Sequence, residues 1–305
     1  MDLVTLQEIR KAAARIAPVL VRTPLVPVGD SLWVKPESLQ RVGSFKIRGA
    51  YNAALQVEPG TGVVTHSSGN HGQALAYAAH RLGLSCVVVV PEGTPAVKSD
   101  AIVGYGAELV VVPPPERIAA AERLAGERGL TMVPPYDHPA VIAGQGTIGL
   151  EILAELPDVE VVLVPVSGGG LASGIAAAIK ALDPRVRVVG VEPELAADAE
   201  ESLEAGYPVS WDTSRTFRTI ADGLRADLSQ LTFAHLRAHL DGIVTVTEDE
   251  IRAAMRLLAG AGRLVAEPSG AVATAACLAG RAPQGRTVAI LSGGNADPAL
   301  LRATL

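Results

Sequence analysis

One lysine in this chain stands among small residues, in Gly43-Ser44-Phe45-Lys46-Ile47-Arg48-Gly49, and a polar loop, Ser67-Ser68-Gly69-Asn70-His71-Gly72, follows it. An amine presented in this way can form an imine with a carbonyl compound and then take a proton from a neighbouring carbon. Ser, Gly and Asn at the end of an apolar run, just before a helical segment, offer backbone N–H groups and a hydroxyl to a carboxylate. Two further glycine loops, Ser167-Gly168-Gly169-Gly170-Leu171 and Ser292-Gly293-Gly294-Asn295, also end apolar runs. In the first of them, consecutive N–H groups ahead of a helix can converge on a phosphate with help from the helix dipole. Its spacing is neither a Walker loop nor the dinucleotide fingerprint. Each loop alone would read as a turn, and their succession is what carries weight.

Particular elements must position these loops. β-Branched runs recur at residues 62–65, 86–90, 109–112, 161–164, 186–191, 243–246 and 287–291, continuous rather than alternating, as in parallel strands buried on both faces. Ala-rich helical segments lie between them at 72–82, 116–128, 171–182 and 248–258. Thr5 with Glu8, and Thr247 with Glu250, make capping boxes for two helices. The alternation predicts an α/β protein of parallel sheets with helices on both faces. The loops with chemistry fall at the carboxyl ends of strands, where open α/β sheets bind ligands.

The 305 residues, 49% hydrophobic and 19% charged, suffice for one large core or two moderate ones. A net charge of −6 without any run of Lys or Arg leaves no electrostatic footprint for nucleic acid or an anionic membrane, so a small molecule is the expected partner. Cys86 and Cys277 sit in apolar stretches and read as small buried hydrophobes, which fits a reduced cytoplasm. The opening Met1-Asp2-Leu3-Val4-Thr5 lacks the basic-then-apolar order of a signal peptide. Residues 161–179 are uncharged over a span long enough to mimic a membrane helix, but Pro165 and three consecutive glycines divide them into strand, loop and helix.

Taken in order, the four motifs resemble the pyridoxal-phosphate (PLP) enzymes of the serine/threonine dehydratase and serine racemase family, nearly from end to end. The resemblance implies two open parallel-sheet domains of the fold type II, tryptophan synthase β-like, architecture. Residues 1–52 and 140–305 would make the larger domain and 53–139 the smaller, with the cofactor in the cleft between. Lys46, in a match to the family's Ser-Phe-Lys-x-Arg-Gly signature, would hold PLP and act as the base at the substrate Cα. Ser67, Ser68, Gly69, Asn70 and His71 would hold the substrate carboxylate, with Asn70 on the cofactor's ring oxygen and His71 acting through its backbone. Ser167, Gly168, Gly169, Gly170 and Leu171 would hold the phosphate, with serine at 167 where the family usually has a fourth glycine. Ser292 would face the pyridine nitrogen, where a neutral hydroxyl favours expelling a β-substituent over transamination. Arg48 is read as a tie for the turn and not as part of the site.

The activity so implied is dehydration of L-threonine or L-serine to a 2-oxo acid and ammonia. Ser68 matches a serine that in the racemase branch reprotonates Cα from the face opposite the lysine, so a serine racemase with residual dehydratase activity is the alternative. A non-catalytic amino-acid-binding module is a third reading, and the intact Lys46 argues against it. Glu192, Ala196 and Asp198 resemble a divalent-cation site of two carboxylates and a carbonyl, suited to Mg²⁺ or Ca²⁺ rather than to zinc. A homodimer or higher homo-oligomer is expected. The short stretch between Ser292 and Leu305 leaves no expected room for a C-terminal regulatory domain. Serine, threonine and 3-hydroxyaspartate stay open as substrates, because pocket side chains decide among them.

Overall fold

The computed structural model describes residues 2–305; Met1, the first residue of the stretch read above for a leader, lies outside them. The strands are β1 (Val26–Pro27), β2 (Leu32–Pro36), β3 (Val63–Thr65), β4 (Cys86–Pro91), β5 (Glu108–Val112), β6 (Thr131–Met132), β7 (Val161–Pro165), β8 (Arg187–Pro193), β9 (Gly242–Val246) and β10 (Thr287–Leu291). They form a six-stranded sheet in the order β1-β2-β10-β7-β8-β9 and a four-stranded sheet in the order β5-β4-β3-β6. Every neighbouring pair is parallel except β1 with β2. The continuous apolar runs account for this: β4, β7 and β10 are buried along nearly their whole length, which only helices on both faces can achieve.

All seven strands expected from the β-branched runs are present, and β1, β2 and β6 are additional. β2 reads Leu-Trp-Val-Lys-Pro, and its Lys35 breaks the apolar run although it is fully buried in the structure. β1 and β6 have two residues each, too short to leave a periodic signal.

The helices that matter for the site are α1 (Leu6–Ile16), α2 (Lys46–Ala54), α3 (Asn70–Leu82), α4 (Ala96–Val103), α5 (Arg117–Arg128), α6 (Pro139–Glu155), α7 (Gly170–Leu182) and α8 (Asp198–Ala205). Both expected capping boxes form, at Thr5 and at Thr247. α2 packs Ile47, Ala50, Ala53 and Ala54 into one core with Val63, Val88 and Leu75 of the four-stranded unit.

α6 carries Gly144, Gly146 and Gly149, a composition that weakens a helix in isolation. Close packing explains them. A Cβ at Gly144 would lie 2.6 Å from the Arg48 carbonyl oxygen, and one at Gly146 would lie 2.8 Å from the Gly174 carbonyl oxygen. The glycines therefore let α6 lie directly on α2 and α7, which sets the two loops preceding those helices relative to each other.

Arg48 ties the same region down. It is fully buried, with Nε and Nη2 on the Glu37 carboxylate at 2.7 and 2.8 Å, Nη1 and Nη2 on Glu151 at 2.7 and 2.9 Å, and Nη1 on Thr147 Oγ1 at 3.0 Å. Lys35 pairs with Glu151 at 2.6 Å, so two cations and two carboxylates neutralise one another inside the protein. No helix among the described residues is long and apolar enough to cross a membrane. Cys86 is buried as expected, but Cys277 is only half-buried, because it sits in the last turn of the helix Pro268–Leu278 as that helix reaches solvent.

Candidate active site

A cleft of about 430 Å³ opens where the carboxyl ends of β3, β7 and β10 converge. Lys46, the loop Ser67–His71, the loop Ser167–Leu171 and Ser292 all line it, so groups from four distant stretches of the chain meet there. Arg48 does not line it.

Lys46 is the first residue of α2 rather than part of a free turn. Its Nζ donates to the Pro135 carbonyl oxygen at 2.7 Å and forms no salt bridge among the described residues. Burial lowers its pKa to about 8, since the charged form loses hydration without gaining a carboxylate. A position at the positive end of a helix dipole disfavours the charge further. The result is an amine that is partly neutral near physiological pH, as a nucleophile or base requires.

The loop after β7 is made of bare backbone. Gly169 has φ +84° and caps α7, and a Cβ there would lie 2.8 Å from Leu228 and Thr232. A Cβ at Gly168 would overlap the Tyr136 ring, and one at Gly170 would lie 2.8 Å from Tyr136 Cβ. No side chain can stand here, so the first amides of α7, which have no partner within the helix, are accessible to an anion. Ser167 departs from glycine without obstructing this: its Oγ accepts from the Ala226 amide at 3.0 Å. These residues fit a cofactor that carries a phosphate at one end and an aldehyde within reach of Lys46.

The loop after β3 runs into α3, whose first residue is Asn70. Asn70 Nδ2 donates to Glu267 at 2.6 Å, and its Oδ1 accepts from Asn295 at 2.7 Å. His71 is buried with Nε2 on the Val133 carbonyl oxygen at 2.9 Å, and burial together with the Lys46 charge lowers its pKa to about 3. The imidazole is therefore neutral, consistent with a role through the backbone. Among the described residues Ser292 Oγ reaches only the Ser269 carbonyl oxygen, at 3.4 Å, which leaves the hydroxyl available at the end of β10.

The cleft also contains Arg117, Tyr136, Phe217, Arg225 and Glu267, none of which the motifs single out. They stand on connecting segments or at helix ends far apart in sequence, and each is an ordinary residue locally. Gly168 was the nearest available signal for Tyr136, because it is bare for the sake of that ring.

Glu192, Ala196 and Asp198 lie together outside the lining of the cleft. Glu192 is buried, and its carboxylate accepts from the amides of Ala199 at 3.1 Å and Glu200 at 2.8 Å, in the first turn of α8. Burial, with the Asp198 charge added, raises its pKa well above the usual range. Burial and Asp227 raise Asp198 to about 7, and Asp198 Oδ2 is buried without a hydrogen-bond partner among the described residues. Among the described residues no three acidic, histidine or cysteine side chains gather as a complete metal shell. Two close acids with an orphaned oxygen nevertheless suit a hard cation that takes its remaining ligands from a carbonyl and water.

This α/β fold with a lysine, an anion-binding helix N-terminus and a strand-end serine in one cleft defines a PLP-type site, and residues 16–293 match the family model described as pyridoxal-phosphate dependent enzyme. The chain belongs to that family. It is 43% identical to the catabolic L-threonine dehydratase of Escherichia coli over 87% of this chain and 83% of that protein. It is also 43% identical to serine racemase of Mus musculus, over 92% of this chain and 87% of that protein. The crystal structure of serine racemase from Dictyostelium discoideum is similar with a TM-score of 0.90 and 39% identity, covering 96% of this chain and 99% of the other.

Proposed function

We propose that the protein is a PLP-dependent L-threonine/L-serine dehydratase, an ammonia-lyase that eliminates water and yields a 2-oxo acid and ammonia. The observation that carries this reading is the buried Lys46 amine, its pKa lowered to about 8, in one cleft with a bare-backbone anion loop. When bound, PLP supplies the electron sink that acidifies the substrate's Cα–H. The amides of Gly168–Leu171 would hold the phosphate, and Ser67–His71 would bind and orient the substrate carboxylate. Asn70 would offer a donor to the ring oxygen, and Ser292 would offer a neutral hydroxyl to the ring nitrogen. Lys46 Nζ would hold the aldehyde and then take the substrate's Cα proton, and the β-hydroxyl would leave with a proton as water. Lys98 of α4 and Asp222, both in the lining of the cleft, pair at 2.6 Å. Incubation of the PLP-loaded protein with L-threonine and L-serine should release 2-oxo acid in step with ammonia; release of neither overturns the reading.

The alternative reading is a serine racemase with residual dehydratase activity, and the presence of Ser68 in the cleft supports it. Ser68→Ala is expected to leave dehydration of L-serine measurable while D/L interconversion falls by about 10²-fold or more, the scale of one general acid. Chiral chromatography beside a 2-oxo acid assay would check this. Loss of dehydration with racemisation retained would contradict the assigned role.

Glu192, the Ala196 carbonyl and Asp198 hold a divalent cation in this reading, Mg²⁺ or Ca²⁺, which neutralises two acids that burial otherwise forces toward the protonated state. A free ion a hundredfold above its Kd should stabilise the protein by ~2.7 kcal/mol through mass action. Melting temperature is to be compared in EDTA and with added ion, for the wild type and for Asp198→Ala. Equal shifts in both proteins would remove the site. The reading also includes a small unit of residues 53–139 inserted in a larger one of residues 1–52 and 140–305, supported by the two sheets, with α2 packed on the smaller. It includes a homo-oligomer acting in the cytoplasm, for which the two free cysteines are consistent.

A further inference from the structure

Glu267 is a buried carboxylate in the cleft that the chemistry above does not use. It is 7% exposed, and among the described residues it forms no salt bridge. Its Oε1 accepts from Asn70 Nδ2 at 2.6 Å. Asn70 Oδ1 accepts from Asn295 Nδ2 at 2.7 Å, and that same nitrogen donates to the Val42 carbonyl oxygen at 2.9 Å. The series runs from the segment before Lys46, through the loop after β10, to the first residue of α3 and the N-terminal end of the helix Pro268–Leu278. A Cβ at Gly293, next to Ser292, would overlap Glu267 Oε1, so the strand-end loop is bare where this carboxylate enters.

A primary amide has an accepting end and a donating end, and it can turn about its last bond. A carboxylate can only accept, so an ionised Glu267 holds the Asn70 NH₂ toward itself, while the Asn295 NH₂ holds the Asn70 oxygen away. One N–H of Asn70 is taken by Glu267 and the other remains for the cleft. Burying a carboxylate against one neutral amide works against stability. Violations of this kind are expected where a site requires them.

We propose that Glu267 is a positioning residue, which acts through Asn70 by holding its side-chain amide with the N–H edge toward the ring oxygen of the cofactor. The inference rests on the PLP reading of the cleft. Burial and then the Asp222 charge raise Glu267 to about 7, against the Asn70 hydrogen bond and Lys98. Asp222 and Lys98 are the charged groups that face it, and they are paired to each other. Below its pKa the protonated carboxyl can donate as well as accept, and its hold on the Asn70 amide weakens.

The test is PLP binding to the apoenzyme, followed by absorbance and protein fluorescence from pH 6 to pH 8, with apoenzyme melting temperature as a fold control. Wild type, Glu267→Gln, Asn70→Ala and the double variant are compared. Glutamine has the same shape but can offer either end to Asn70, so about tenfold weaker binding is expected, the scale of one well-placed hydrogen bond. The Lys46 amine titrates in both proteins, so the affinity of each should decline as the pH falls from 8 to 6, but the wild type should decline more steeply through 7, where Glu267 adds its own protonation. In the Asn70→Ala background Glu267→Gln should have no further effect. Equal affinity of Glu267→Gln and wild type, or additive losses in the double variant, overturns the inference alone. A wild-type pH profile parallel to that of Asn70→Ala does the same even if the glutamine variant does not fold. A wild type that binds no PLP at any pH overturns the cofactor reading and this inference with it.

Discussion

Replacing Lys46 by alanine is expected to lower turnover of L-threonine and L-serine by about 10³-fold or more, since one side chain serves both as the covalent anchor and as the base. The loss should be chemical rather than structural. Among the described residues Lys46 Nζ hydrogen-bonds only to the Pro135 carbonyl oxygen, so removing it leaves no buried charge unpaired, and alanine suits the first turn of α2. The melting temperature of the apoenzyme should therefore stay near that of the wild type. Borohydride treatment should fix the cofactor to wild type and leave the variant unlabelled, as read by mass spectrometry. The wild type should also show a pH signature. With its pKa lowered to about 8, the amine is mostly protonated and unreactive below that value and mostly free above it. Covalent capture of PLP should accelerate as pH rises through 8 and then level off. A Lys46→Ala variant that is labelled as well as the wild type would remove Lys46 from the site.

The parts of this site that could be read from the chain are those in which backbone does the work. Gly168, Gly169 and Gly170 have to be glycine because Tyr136, Leu228 and Thr232 occupy the space a side chain would take, so the requirement is written in consecutive letters. The strands beneath the loops were legible for a related reason, since burial on both faces demands an unbroken β-branched run. Glu267, Arg117 and Tyr136 were not legible. Each reaches the cleft from its own segment, and nothing next to it in sequence reports that approach. β2 was hidden by Lys35, whose burial is offset by Glu151 rather than by any neighbour along the strand. α6 was hidden by glycines that cost helix propensity locally and are justified only by contact with α2 and α7. Tertiary contacts outweighed local preference at those positions.

The largest loss of stability is expected at Arg48. Its guanidinium and the Glu37 carboxylate are both 0% exposed and lie 2.7 Å apart. Arg48→Ala would leave Glu37 buried without its cation and would leave Glu151 with Lys35 alone, a loss of about 3–5 kcal/mol. Burial raises the Glu151 carboxyl, and the hydrogen bonds and charges of Arg48 and then Lys35 reverse this and hold it below its usual value, so the alanine variant removes the larger part of what keeps Glu151 ionised and leaves Lys35. Arg48 lies two residues beyond Lys46 on α2, and loosening that helix should disturb the amine as well. Removing both members of the buried pair, Arg48→Met with Glu37→Gln, restores charge balance, because Lys35 and Glu151 still neutralise each other. That double variant is expected to recover most of the stability lost by Arg48→Ala, since the main cost is the unpaired charge and not the missing attraction. Thermal and urea unfolding of the apoenzyme would be followed for wild type, Arg48→Ala and the double variant, with Lys46→Ala as a control that should barely shift. A double variant no more stable than Arg48→Ala would show that the ion pair is not what holds α2 in place, and that the packing of α6 on Gly49 carries the load instead.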